Sequence, residues 1–442
     1  MPRSTRLHVS PRGDDEADGS SQNPLSWSGL RQRLDAIPRE NAAEPVEIRF
    51  HDGVYDADAT LVLQPQHGGT VDAPTRLLAA EGARPVLSAA TPIRNWKRLD
   101  HDLPGLPDAA TDHLWYADLG DANFRTLYQH GEILDRARVG PLTTDPARKD
   151  ESTDTLLCAR PEDLRDWPDP ANLELFIMPD HVWQAQYLPV ASVDRESATI
   201  TTSVPGTYRL VATGEQNPAL HYWIENSAEG LSEPGRWMLD PRGRVYLWPK
   251  GDASQPPEGV AYPRLTELLR IEGGDDQPCA HVQVTGLTFT HGDRIPWPEH
   301  RRACQHDWQV YDWPDAMVRF RGARDVTVRN CRFIEAGATG LRMDRFAVAN
   351  TVERCEFDRL GGGGVAILGD PPGGRENSHH NVVRSSRFHD IGRLWWQASG
   401  ILLVQSANNL VTDNLLHDLS YCGITLISGR EAAFRDKDPS DK

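Results

Sequence analysis

The sequence predicts an all-β protein: a right-handed parallel β-helix with an inserted antiparallel β-sandwich-like domain and a short N-terminal capping helix. Three observations carry that prediction. A block of similar residues recurs through the last third of the chain. Its apolar positions alternate two apart, as in strands. A long middle section lacks the repeat and reads as hairpins.

The repeat aligns on a valine in the copies "DVTVRNCRFIEAGATGLRM", "NTVERCEFDRLGGGGVAI", "NVVRSSRFHDIGRLWWQASGILLV" and "NLVTDNLLHDLSYCGITL". The valines are Val328, Val352, Val383 and Val411, so the steps are 24, 31 and 28 residues. Five residues on stand Phe333, Phe357, Phe388 and Leu416; eight residues on stand Ala336, Leu360, Ile391 and Leu419. Each copy closes on a glycine and an apolar residue: Gly340-Leu341, Gly364-Val365, Gly400-Ile401 and Gly423-Ile424. A degenerate earlier copy begins at Val284 and Phe289. No apolar piece reaches the length of an amphipathic helix, and the leucine-rich-repeat signature is missing. Three short strands per turn of about 24 residues, stacked about 4.8 Å apart, are the expected unit.

The elements follow in order. Residues 11–25 read as a polar Gly/Asp/Ser/Pro loop, and Ser26 as the N-cap of a short helix with Trp27, Leu30, Leu34 and Ile37 on one stripe, stopped by Pro38. Strands are expected at Val46–Phe50, Thr60–Leu63, Arg76–Ala79 and Pro85–Ser88. From Trp96 the pattern turns to hairpins, clearest in "RWMLDPRGRVYLW", where Asp240-Pro241-Arg242-Gly243 has turn chemistry. The expected organisation is cap and first coils at 1–95, inserted domain at 96–270, and main coils at 271–442.

Composition narrows the function. With 47 Lys plus Arg against 64 Asp plus Glu, the net charge of −17 argues against nucleic acid and anionic membranes as partners. A strongly acidic polysaccharide is disfavoured too, unless a local basic patch intervenes. No apolar run has the length of a membrane span, and no signal peptide precedes the strand-like Leu7–Ser10. The six cysteines are irregularly spaced; Cys331 and Cys355 hold equivalent places in adjacent coils and are expected as two buried thiols. The 13 tryptophans suit sugar faces, and equally suit packing.

Read together, "LHVSPRGDDEADGSSQNPLSWSGLRQRLDAI", "VEIRFHDGVYDADATLVL", "PTRLLAAEGARPVLSAATPIRNW", "EPGRWMLDPRGRVYLWP" and the coils from 281 resemble glycoside hydrolase family 141, over nearly the whole chain and in the same order. The resemblance implies a pectin-lyase-like β-helix interrupted by a β-sandwich. It further implies a fucosidase- or xylanase-type glycosidase on neutral plant or algal polysaccharide, with an extracytoplasmic or secreted location. It also places that family's two aspartates on coils beyond Ser428, where this sequence runs "GREAAFRDKDPSDK" and stops; a fragment or shortened homologue is the expectation.

Glycoside hydrolysis needs two carboxyl groups about 5–5.5 Å apart for retention or 6.5–9.5 Å for inversion, distances that side chains one or two coils apart supply. The register that holds the family's second acid carries Asp344 here, and Asp370 lies two residues beyond it on the next coil; these are the catalytic candidates. Both also suit ordinary turn aspartates. The repeated pairs His389-Asp390 and His417-Asp418 are secondary candidates, and also read as turn elements. Trp395, Trp396, Trp308 and Trp313 lie on inserts of one face and are the candidate sugar-binding residues, with packing over the coil edge as the alternative. His379, His380 and Asp390 lack metal-ligand spacing, so neither a metal nor a cofactor is expected. The partner expected is a polysaccharide or oligosaccharide. A non-catalytic carbohydrate-binding β-helix remains an alternative, and so does a polysaccharide lyase, which would call for a poised base and a Ca²⁺ cluster.

Overall fold

The computed structural model describes residues 5–37, 44–179, 185–213, 220–295, 313–369 and 378–427. They form two compact units.

The first unit comprises residues up to 91, 263–295 and the coils from 313. Its strands stack into three parallel sheets of eight, seven and seven strands among the described residues. The first sheet holds the valine strands, from Thr5–Asp14 and Val46–Phe50 through Thr327–Arg329 and Thr351–Glu353 to Leu410–Thr412. The second holds the phenylalanine strands, including Arg332–Ala336, Glu356–Leu360 and Arg387–Ile391. The third holds the strands that follow the closing glycines, including Leu269–Glu272, Ala316–Arg321, Thr339–Asp344 and Val365–Leu368.

The sequence register is the structural register. Val328, Val352, Val383 and Val411 pair in one row, and Phe333, Phe357, Phe388 and Leu416 in another. The degenerate copy joins both rows, Val284 beside Val328 and Phe289 beside Phe333. The Phe333, Phe357 and Phe388 rings stack with centroids 4.6 Å apart. Two of the closing glycines are needed because a ring lies over them: a Cβ on Gly340 would come within 2.7 Å of the Phe357 ring, and one on Gly364 within 2.5 Å of the Phe388 ring and of the Gly400 carbonyl oxygen.

Single residues turn the corners. Two residues after each valine, Asn330, Arg354, Ser385 and Asp413 take φ of 52–57°, and in the degenerate copy Gly286 takes that place. The second corner is turned by Glu335, Arg359, Asp390 and Asp418, all near φ 50°. The repeated aspartates of the His-Asp pairs are therefore the bend residues of their coils. A third regularity stands two residues before the valines. Asn350, Asn381 and Asn409 form a ladder in which the Asn350 Nδ2 donates to Asn381 Oδ1 at 3.0 Å and the Asn381 Nδ2 to Asn409 Oδ1 at 3.2 Å.

The N-terminal helix spans Trp27–Arg33, with Ser26 Oγ accepting from the Gly29 N–H as the cap, and a 3₁₀ turn continues it over Leu34–Ala36. Trp27, Leu30 and Leu34 join the same apolar core as Phe50, Phe289, Phe357 and Leu403. The expected strands appear at Val46–Phe50, Leu61–Leu63, Thr75–Ala79 and Pro85–Ser88; Gly53–Asp56 is an additional one, and Thr5–Asp14 runs four residues into the stretch expected as loop. The rows continue across the interruption, for Leu77 pairs with Val284. Cys331 and Cys355 are buried free thiols.

The second unit comprises, among the described residues, 92–262. It contains antiparallel sheets, one of six strands and one ordered Trp237–Leu239, Arg244–Leu247, Trp115–Asp118 and Lys97–Arg98. The hairpin read from Asp240–Gly243 pairs Trp237 with Leu247 and Leu239 with Val245.

Candidate functional site

Alternation along the third sheet sends Leu269, Val318 and Leu341 into the core and Arg270, Arg319 and Arg342, which pair in register, to the outer face. Three stacked guanidiniums repel one another, and acidic side chains offset the repulsion. Arg342 Nε donates to both Asp344 oxygens at 2.9 and 3.1 Å, and Arg319 Nε donates to Asp344 Oδ2 at 3.1 Å. On its other side, Arg319 Nη1 donates to Glu267 Oε1 at 3.5 Å, and Arg270 Nη1 lies 3.6 Å from Glu267 Oε2. Burial pushes the Glu267 carboxyl above the usual carboxylate range, against the pull of Arg319 and Arg270; the neighbouring Asp344 adds to the rise. Asp344 itself is fully buried.

A second cluster lies on the outer face of the second sheet, where Asp358, His389 and His417 share one row. His389 Nδ1 is 2.9 Å from Asp390 Oδ2 and 3.2 Å from Asp358 Oδ1, while its Nε2 is 3.6 Å from Glu356 Oε1. The His389 and His417 rings stack face to face, centroids 5.1 Å apart, and His417 Nδ1 bonds Asp418 at 2.7 Å. Burial pushes the Asp358 carboxyl upward.

The sequence candidates thus separate. Asp344 is in the outer-face cluster of the third sheet. His389 and Asp390 come together with Asp358 on the second sheet, and His417 with Asp418 one coil on. Asp370 and Trp308 lie outside the described residues. Of the tryptophans read as sugar-binding or as packing over the coil edge, Trp395 is 2% exposed and Trp313 7% exposed, which fits the packing alternative. Trp396 is half-buried. The insert folds back on the coil through Trp395 N–H to Gly361 O at 2.9 Å, and the buried Arg294 guanidinium lies 5.8 Å from the Trp395 ring centre.

Glu267 and Asp358 were missed. Glu267 precedes a closing strand that lacks its glycine; aligning Leu269-Arg270, Val318-Arg319 and Leu341-Arg342 would have exposed the arginine row beside it. Asp358 sits one residue after the Phe357 of its copy, the place His389 and His417 take in theirs.

The comparisons agree with this architecture. Residues 309–437 match the family described as right handed beta helix region. A solved structure titled "Glycoside hydrolase" superposes with a TM-score of 0.76 over 96% of this chain and 79% of that one, at 20% identity. A complex of XylC with xylose aligns over 96% and 60% at 11% identity and a TM-score of 0.47, and a rhamnogalacturonan lyase over 92% and 56% at 8% and 0.37. No curated protein is significantly similar in sequence. The chain has the right-handed β-helix fold seen in a glycoside hydrolase, and among its described residues no helix is long and apolar enough to cross a membrane.

Proposed function

We propose that this chain is a carbohydrate-active β-helix protein of glycoside-hydrolase type, acting on neutral polysaccharide through two carboxyl groups on the outer face of the third sheet. The observation that carries the reading is that Arg319 engages Glu267 and Asp344 at once. One guanidinium joins the two acids, Arg319 Nη1 lying 3.5 Å from Glu267 Oε1 and Nε 3.1 Å from Asp344 Oδ2, so both carboxyl groups stand at one place on the sheet, as a glycosidase pair must. Glu267, raised by burial, suits the proton donor to the departing sugar oxygen. Asp344, oriented by two arginines, suits the partner that stabilises the developing positive charge or activates water. Activity should then fall as pH rises through the elevated Glu267 value.

The complete burial of Asp344 favours a second reading, a β-helix that holds glycans without cleaving them. Turnover of a panel of aryl glycosides and neutral xylan- or fucan-type polymers decides between them. Under the hydrolytic reading, Asp344→Asn and Glu267→Gln each lower kcat by about 100-fold or more while glycan binding persists. Background rates in the unsubstituted protein, with binding retained, would establish the second.

A further inference from the structure

The geometry points to a divalent metal site on the outer face of the second sheet, built by Asp358, His389 and Asp390, for a borderline first-row cation such as Zn²⁺. It does not depend on the hydrolytic reading, because none of its residues belongs to the third sheet.

Donor atoms of the three side chains all lie within 4.8 Å of one another. The separation of His389 Nδ1 from Asp358 Oδ1, 3.2 Å, lies within the edge between neighbouring ligands of one ion, about 3.0–3.4 Å for bonds near 2.1 Å, and that from Asp390 Oδ2, 2.9 Å, lies just under it. A single imidazole nitrogen carries at most one proton, so it cannot donate well to two carboxylates at once. Correspondingly, Asp358 Oδ1 has no hydrogen-bond partner although its side chain is 4% exposed, and His389 Nε2 has none either. A cation between the three groups satisfies Asp358 Oδ1 and uses the Nδ1 lone pair. The proton then sits on Nε2, facing Glu356, whose oxygen at 3.6 Å is placed to orient the ring.

The fold sets these positions. Asp358 and His389 are row neighbours on adjacent coils, and Asp390 reaches the same point because it turns the corner at φ 53°. One nitrogen and two carboxylates suit zinc, cobalt or manganese, whereas Ca²⁺ takes six to eight oxygens. Water would complete the shell.

The test is equilibrium dialysis of the metal-stripped full chain against Zn²⁺, with Co²⁺ absorption as an independent report on a nitrogen-containing site. One tight equivalent per chain is expected, with visible cobalt bands and little competition from excess Ca²⁺. His389→Gln and Asp358→Asn should each weaken Zn²⁺ by about 100-fold or more, and Glu356→Gln by about 10-fold, with circular dichroism unchanged. His379→Ala/His380→Ala should leave the tight equivalent in place, although in that exposed pair two imidazoles adjoin, Nδ1 to Nδ1 at 2.6 Å. Absence of tight Zn²⁺ binding in the unsubstituted protein would overturn the proposal. So would binding that survives His389→Gln or disappears with the His379/His380 pair.

Discussion

At the scale of single residues, the molecule places its extremes in two kinds of environment. Phe357 is fully buried with a ring stacked on either side, 4.6 Å away each time, so Phe357→Ala removes contacts on both faces at once. A loss of about 3–5 kcal/mol in chemical unfolding is expected. Glu267 is the opposite case, an acid kept from water. Its raised folded-state value means that the folded protein holds this proton more tightly than the unfolded chain does. Its stabilising contribution is therefore present below the ordinary glutamate value and is lost as pH rises toward the elevated one. Glu267→Gln, neutral at every pH, should gain melting temperature relative to the unsubstituted protein as pH is raised through that window; parallel curves would count against the burial argument.

At the scale of the element, the coil was legible wherever side-chain size carries the information. The valine and phenylalanine rows could be aligned from the sequence because an inward position tolerates only large apolar groups, and the closing glycines Gly340 and Gly364 because a ring lies against each. Polar function was less legible. Asn350, Asn381 and Asn409 each stand two residues before a valine, yet an asparagine in a turn looks ordinary until its amides are seen bonding from coil to coil. Asn381 also donates to the Ala347 carbonyl oxygen at 2.9 Å and accepts from the Asn350 N–H at 3.1 Å. Asn381→Leu strands these partners, and about 2–4 kcal/mol should be lost, measured as the shift in denaturation midpoint. The outer faces were harder still. Glu267 stands in a coil whose repeat has decayed, and the burial of Trp395 depends on a fold-back that no local pattern encodes.

At the scale of the molecule, the β-helix is one core with an interruption. Val9 and Leu403 belong to the same apolar cluster, although residues 92–262 lie between them in sequence. The two ends of the interruption meet inside the helix, where Arg264 N–H donates to Ala89 O at 3.0 Å. Replacing 92–262 by a short Gly/Ser linker should therefore leave a cooperatively melting β-helix; a polypeptide without a melting transition would show that the coils need the insert. The continuity of the rows has a kinetic consequence as well. Neighbouring late coils join residues 24 to 31 apart, as in Asn350 with Val326 and Asn381, whereas Arg76 meets Gln283 across 207 residues. Closing the longer loop costs about 2 kcal/mol more entropy than closing a single coil. The coils after 263 can zip up one on the next, and the first coils, with their cap, must wait to dock on a surface already formed. Refolding should show a fast phase from the later coils and a slow one from Trp27, which reports the closing of the N-terminal end.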